Sequence, residues 1–202
     1  MGAEITGIDL SKPMDVSDVQ GVLDAFHENQ VIAIRDQNLT PGQLIIFSRH
    51  LGPLEDQLNA RYTLPDYPDV LVLSNDMKDG KPVGLIDGGD FWHSDSSHRE
   101  KPSMATILHS KQNPKVGGDT QFGNMYLAYD DMSDEFLAEI AGKTAVHDAS
   151  RNSAGRLRPG YEDEQDPSKT PGPHHPLVRI HPETGRKALF LGRRPYSYIP
   201  GL

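Results

Sequence analysis

The sequence predicts a mainly β domain, a sandwich or jelly roll with helices packed outside its sheets. Two observations carry this. The second half contains short apolar runs separated by Gly and Pro, the pattern of brief strands joined by turns. Capped amphipathic patterns occur near 16–29, 40–51 and 133–141, where helices are expected. At 202 residues the chain has room for one sizeable core, so a single domain over 1–202 is the simplest organisation.

The elements follow in order. Gly2 to Leu10 alternates like a short strand. Val16 to Asn29 places Val19, Val22, Leu23 and Phe26 on one helical face. Val31-Ile32-Ala33-Ile34 reads as a buried strand. Thr40-Pro41-Gly42-Gln43 then supplies an N-cap, a proline at the first helical position and a capping-box Gln. The helix it opens carries Leu44, Ile45, Phe47 and Leu51, and Gly52-Pro53 ends it. Strands are predicted at Leu71-Val72-Leu73 and Met104 to Leu108. Ser133 caps a third helix, with Phe136, Leu137 and Ile140 inward and Gly142 near its end. Leu177 to Ile180 and Ala188 to Leu191 form a hairpin about a 181–185 turn. Between these parts, residues 149–174 are polar and rich in Gly and Pro around Glu162-Asp163-Glu164. So long a connection is expected to be a lid or a disordered loop.

Composition narrows the function classes. No run approaches the roughly 20 apolar residues of a membrane span, and no basic, apolar leader opens the chain. With no Cys, disulfides, thiolate metal sites and a cysteine nucleophile are excluded, and a reducing compartment suits the chain. A net charge of −9 argues against binding a phosphate backbone. A cytoplasmic protein with a small-molecule partner, no nucleic acid and no membrane is the expectation; self-association is left open.

The chemistry is concentrated in Trp92-His93-Ser94-Asp95. A His and a carboxylate two apart on an extended strand point to the same side, because side chains alternate. Joined by a distant second His, they make the facial triad that holds Fe(II) and leaves positions open for co-substrates. With nine His and 29 acidic residues, two other segments match the pattern: His98-Arg99-Glu100 and His181-Pro182-Glu183. The first runs into Lys101-Pro102 and reads as a solvated turn; the second is a turn between strands. Only His93 and Asp95 stand between a glycine-bearing loop, Asp87 to Asp90, and an apolar strand candidate. Gly117-Gly118-Asp119-Thr120, taken alone, reads as a plain turn.

Together the segments resemble the taurine dioxygenase and 2,4-dichlorophenoxyacetate dioxygenase (TauD/TfdA) family of Fe(II)- and 2-oxoglutarate-dependent oxygenases. The matching pieces run almost end to end: Gly2 to Gly7, Trp92 to Asp95, Gly117 to Thr120, His147-Asp148, His175 to Arg179 and His181 to Phe190. The resemblance implies a double-stranded β-helix, a cupin-like jelly roll, incomplete at its C-terminus. It implies His93 and Asp95 as iron ligands and the Thr120 hydroxyl at the distal carboxylate of 2-oxoglutarate. His147, His175 and His181 fit as framework residues. The third iron ligand and the Arg that pairs with 2-oxoglutarate are expected beyond Leu202, so the 202-residue chain alone is expected to be inactive.

The implied reaction hydroxylates an unactivated C–H, using Fe(II), 2-oxoglutarate and O2 and releasing succinate and CO2. A carboxylate at Asp95, where related halogenases have a small residue, implies hydroxylation. Taurine is disfavoured: Glu55 to Asn59 contains no His, and Gly88 and Gly89 stand where taurine-specific members carry Asp and Asn. A small anionic substrate is expected, for which Arg61, Arg193 and Arg194 are candidate contacts, though surface charge explains them equally. Two alternatives differ in class. One is an inactive jelly-roll relative serving as a binding module; the other is a cupin-type metalloenzyme that does not use 2-oxoglutarate.

Overall fold

The computed structural model describes residues 1–56, 60–86, 88–89, 91–152, 154–191 and 197–201. Their contacts fall into two compact units, Met1–Ile86 with Ile107–Asp119 and Asp87–Thr106 with Thr120–Leu202.

In the first unit, β1 (Ala3–Ile5) pairs in parallel with β2 (Ile32–Ile34), and α1 (Val16–Asn29) forms the crossover. Parallel neighbours require such a long connection. The Asp15 side chain caps α1 by accepting from the Asp18 N–H, and left-handed Gln30 (φ 65°) ends it. At α2 (Pro41–Leu51) both arms of the capping box form between Thr40 and Gln43. Leu10, Val22, Leu39 and Phe47 make the buried core, against which Ile5, Ile32, Ile34, Leu44 and Ile107 pack. Full burial of a side chain such as Phe47 is worth about 1.5–3 kcal/mol, so α1 and α2 are held chiefly by this apolar face.

Two hairpins complete the unit. β3 (Thr63–Leu64) pairs with β4 (Tyr67–Leu71), and β5 (Met77–Lys78) with β6 (Lys81–Pro82). The second turns through Asp79 (φ 51°) and Gly80 (φ 73°). Two successive positive φ values match the Asp-Gly preference of tight hairpin turns.

In the second unit, Asn124 caps α3 (Met125–Asp130) and Ser133 caps α4 (Asp134–Ile140). β7 (Thr144–Val146) pairs antiparallel with β8 (His174–Pro176), and β9 (Val178–Ile180) with β10 (Lys187–Leu189). Ile140, Ala145, Leu177 and Leu189 form its core, joined by Met125, Tyr129, Leu137 and Ile199.

Among the described residues, ten short strands in five two-stranded pairs stand beside four α-helices, so by number of elements the protein is mainly β. Several expectations are corrected. Among the described residues Met104 to Leu108 finds no strand partner, although Met104, Thr106 and Leu108 are more exposed than Ala105 and Ile107, as an extended backbone would make them. Leu73 lies past the end of β4 in an isolated bridge to Leu85. Phe136 points outward at 46% exposure, because Leu137 and Ile140 fill the inner face of so short a helix.

The 149–174 segment carries local order. Its stem continues the β7–β8 pairing: the Ala149 N–H donates to the Pro171 carbonyl (2.8 Å) and the His147 N–H to the Pro173 carbonyl (3.0 Å). A Cβ on Gly172 would lie 2.0 Å from the His147 carbonyl oxygen, so only glycine fits there. Farther out, Arg151 bridges to Leu157 and pairs with Asp163, and Asp166 caps a 3-10 turn at Pro167–Lys169.

Candidate functional site

His93 and Asp95 converge, but not by sharing a strand. Asp95 begins a turn in which Ser96 adopts φ 52°, and this left-handed residue breaks the extended run. Within that geometry His93 Nε2 lies 3.0 Å from Asp95 Oδ1. His93 Nδ1 lies 2.6 Å from the Phe91 carbonyl oxygen. A carbonyl only accepts, so Nδ1 carries the hydrogen, and Nε2 offers its lone pair in the neutral ring. A lone pair facing a carboxylate oxygen requires a proton or a cation between them. The donor set, one imidazole nitrogen and one carboxylate oxygen with the ring oriented by a backbone carbonyl, fits a first-row metal such as Fe(II). Among the described residues no group of three or more His, Cys, Asp or Glu side chains is placed to hold a metal ion.

Two further side chains support this pair: His175, which the resemblance gives as a framework residue, and Thr106, to which no motif pointed. The Thr106 hydroxyl donates to Asp95 Oδ2 at 2.5 Å. His175, on β8, reaches the Ser97 carbonyl at 2.9 Å and the Arg99 carbonyl at 3.1 Å through Nε2–H. It thereby pins the turn that follows Asp95. Its pKa is lowered from the ordinary 6.5, first by burial and also by Arg179, while the two carbonyls and Glu100 oppose the shift. Phe190 lies against this cluster: its ring stacks on His147 at 4.9 Å and meets His175 edge-on at 5.1 Å. The guanidinium of Arg179 covers Phe190 at 4.5 Å.

The competing motifs serve as turns. His181 Nδ1 accepts from the Glu183 and Thr184 N–H groups, each at 3.3 Å, so it organises the β9–β10 connection. His98 and Glu100 lie in the turn that His175 braces. Thr120 is exposed, just after Gly117 (φ 79°) and Gly118 (φ 75°). Arg61 covers its neighbour Tyr62 at 4.3 Å, the behaviour of a surface side chain. Arg193 and Arg194, with Asp87, Asp90, Gln57, Leu58, Asn59 and Leu202, lie outside the described residues. An open cleft on the first unit, lined by Glu4, Thr6, Asp9, Arg35 and Asn38 among others, contains neither His93 nor Asp95.

Comparison with known proteins identifies the family. Residues 1–201 match the family described as "Taurine catabolism dioxygenase TauD, TfdA family". The (S)-phenoxypropionate/alpha-ketoglutarate-dioxygenase of Sphingobium herbicidovorans is 34% identical, over 100% of this chain and 70% of its own length. The alpha-ketoglutarate-dependent 2,4-dichlorophenoxyacetate dioxygenase of Cupriavidus pinatubonensis is also 34% identical, over 99% of this chain and 72% of its own. A crystal structure of a taurine dioxygenase from Burkholderia xenovorans superposes with a TM-score of 0.75 and 28% identity. It is covered over 63% of its chain, so the present chain spans less than two thirds of that relative. The structure of AAD-2 with Mn(II) and N-oxalylglycine gives a TM-score of 0.67 at 26% identity, over 69% of its chain. With a family match over residues 1–201 and relatives 34% identical over nearly the whole chain, the chain belongs to the TauD/TfdA family of dioxygenases.

Proposed function

We propose that the protein is a Fe(II)- and 2-oxoglutarate-dependent dioxygenase that hydroxylates an unactivated C–H of a small anionic substrate, with release of succinate and CO2. The observation that carries this reading is the His93–Asp95 pair, with Nε2 and Oδ1 3.0 Å apart and Nδ1 committed to a backbone carbonyl. His93 and Asp95 would supply two ligands. A His C-terminal to residue 202 would supply the third, and an Arg from the same region would meet 2-oxoglutarate. Iron, 2-oxoglutarate and O2 together supply the oxidising power. The protein's part is to orient: the Phe91 carbonyl fixes His93 in one tautomer, Asp95 would direct Oδ1 toward the metal, and the Thr120 hydroxyl would donate to the distal carboxylate of 2-oxoglutarate. A single double-stranded β-helix domain fits this role, as does a cytoplasmic setting for a chain without Cys. Among the described residues no helix is long and apolar enough to cross a membrane.

The relatives that act on phenoxypropionate and 2,4-dichlorophenoxyacetate motivate a substrate panel of aryloxyalkanoates, alkyl sulfates and sulfonates. The complete polypeptide encoded by the gene, given Fe(II), ascorbate and 2-oxoglutarate, should form succinate in step with loss of one panel member. His93→Ala and Asp95→Ala should each lower turnover by at least about 100-fold, the upper range for disturbing a metal site. Absence of a weak absorption band on mixing anaerobic Fe(II) with 2-oxoglutarate would instead favour a metalloenzyme that does not use 2-oxoglutarate.

A further inference from the structure

We propose that Thr106 is a positioning residue for the metal-binding carboxylate of Asp95, an inference that rests on reading His93 and Asp95 as metal ligands. Each oxygen of Asp95 has a different near neighbour. Oδ1 faces His93 Nε2 at 3.0 Å, and Oδ2 accepts from the Thr106 hydroxyl at 2.5 Å. The terminal torsion of an Asp side chain is broad, so an unsupported carboxylate presents either oxygen, or both, to a cation. The Thr106 bond removes that freedom. It occupies Oδ2 and leaves Oδ1 aimed at the point that His93 Nε2 also addresses.

The residue type suits the task. Thr is β-branched, and its χ1 is restricted outside helices as well as within them, so the backbone largely sets the direction of the hydroxyl. Thr106 lies eleven residues beyond Asp95, in the extended stretch that follows the turn braced by His175. The carboxylate is therefore reached from a segment separate from its own turn. His93 is oriented in parallel fashion by the Phe91 carbonyl, so a hydrogen bond orients the donor atom in each half of the pair. Such outer partners typically contribute 10–100-fold to metal affinity.

The bland reading is that an exposed hydroxyl has found the nearest acceptor. Metal affinity separates the two. The metal-free complete polypeptide is titrated with Mn(II) alone, and unbound Mn(II) is counted by electron paramagnetic resonance. Thr106→Val, which keeps shape and removes the hydroxyl, should raise the Mn(II) Kd about tenfold, while the melting temperature of the metal-free protein stays unchanged. Thr106→Ser should bind close to the wild-type value. Asp95→Ala should lose stoichiometric binding. Wild-type affinity in Thr106→Val alongside lost binding in Asp95→Ala would overturn the role of Thr106 and leave the metal ligand standing. Equal weakening in the Ser and Val variants would also overturn it, because the hydroxyl would not be what matters. Wild-type binding in Asp95→Ala would remove the reading of the site itself, and this inference with it.

Discussion

His175 shows how one side chain can hold a turn that sequence proximity cannot. Its Nε2–H serves the Ser97 and Arg99 carbonyls, 78 and 76 positions away. Replacing it with Phe keeps the ring contact with Phe190 but leaves two carbonyls without this donor. A loss of about 1–3 kcal/mol is expected, read as a lower urea midpoint with an unchanged slope. The pH dependence has a definite sign. Burial lowers the His175 pKa below 6.5, so the folded protein binds a proton less readily than the unfolded chain. Its contribution is therefore present above pH 6.5 and is lost as pH falls from there toward the folded-state pKa. Melting temperatures measured from pH 8 to 5 should drop more steeply in the wild type than in His175→Gln.

At the level of elements, the helices with local start signals could be read and the long-range arrangements could not. Thr40 and Gln43 form their capping box as the pattern of residues 40–43 required, and Ser133 caps α4. Removing such a cap has a known cost: Thr40→Ala should destabilise by about 1 kcal/mol, measurable by chemical denaturation. The short α3 escaped notice because Met125–Asp130 is too brief to show a helical period. Met104 to Leu108 has the alternation of a strand, but a ladder needs a partner, and alternation says nothing about one. The His93–Asp95 motif was visible for the same reason as the caps, since the two residues stand only two positions apart in the chain. Its supports were hidden: no spacing rule links Thr106 to Asp95 or His175 to Ser97, and only folding brings them together. The strand assumed to present His93 and Asp95 is replaced by a turn at Ser96, whose positive φ no propensity for Ser foretells.

For the molecule as a whole, charge and chain path set the outward behaviour. A net charge of −9 repels a phosphate backbone, so duplex DNA should show no salt-sensitive binding in a fluorescence anisotropy titration. The path between β7 and β8 has a different consequence. The bonds from His147 to Pro173 and from Ala149 to Pro171 close the neck of the 150–170 excursion, and Gly172 allows the two backbones to meet there. Gly172→Ala should therefore open the neck at a cost of about 3 kcal/mol or more, seen as protease cleavage within 150–170. Once the neck is closed, the length of what lies beyond it is cheap to change, since doubling a loop's length adds only about 0.6 kcal/mol of closure entropy. The excursion is thus a cassette: evolution, or an engineer, can rewrite its length and chemistry in one step while the scaffold that carries His93 and Asp95 keeps its own sequence.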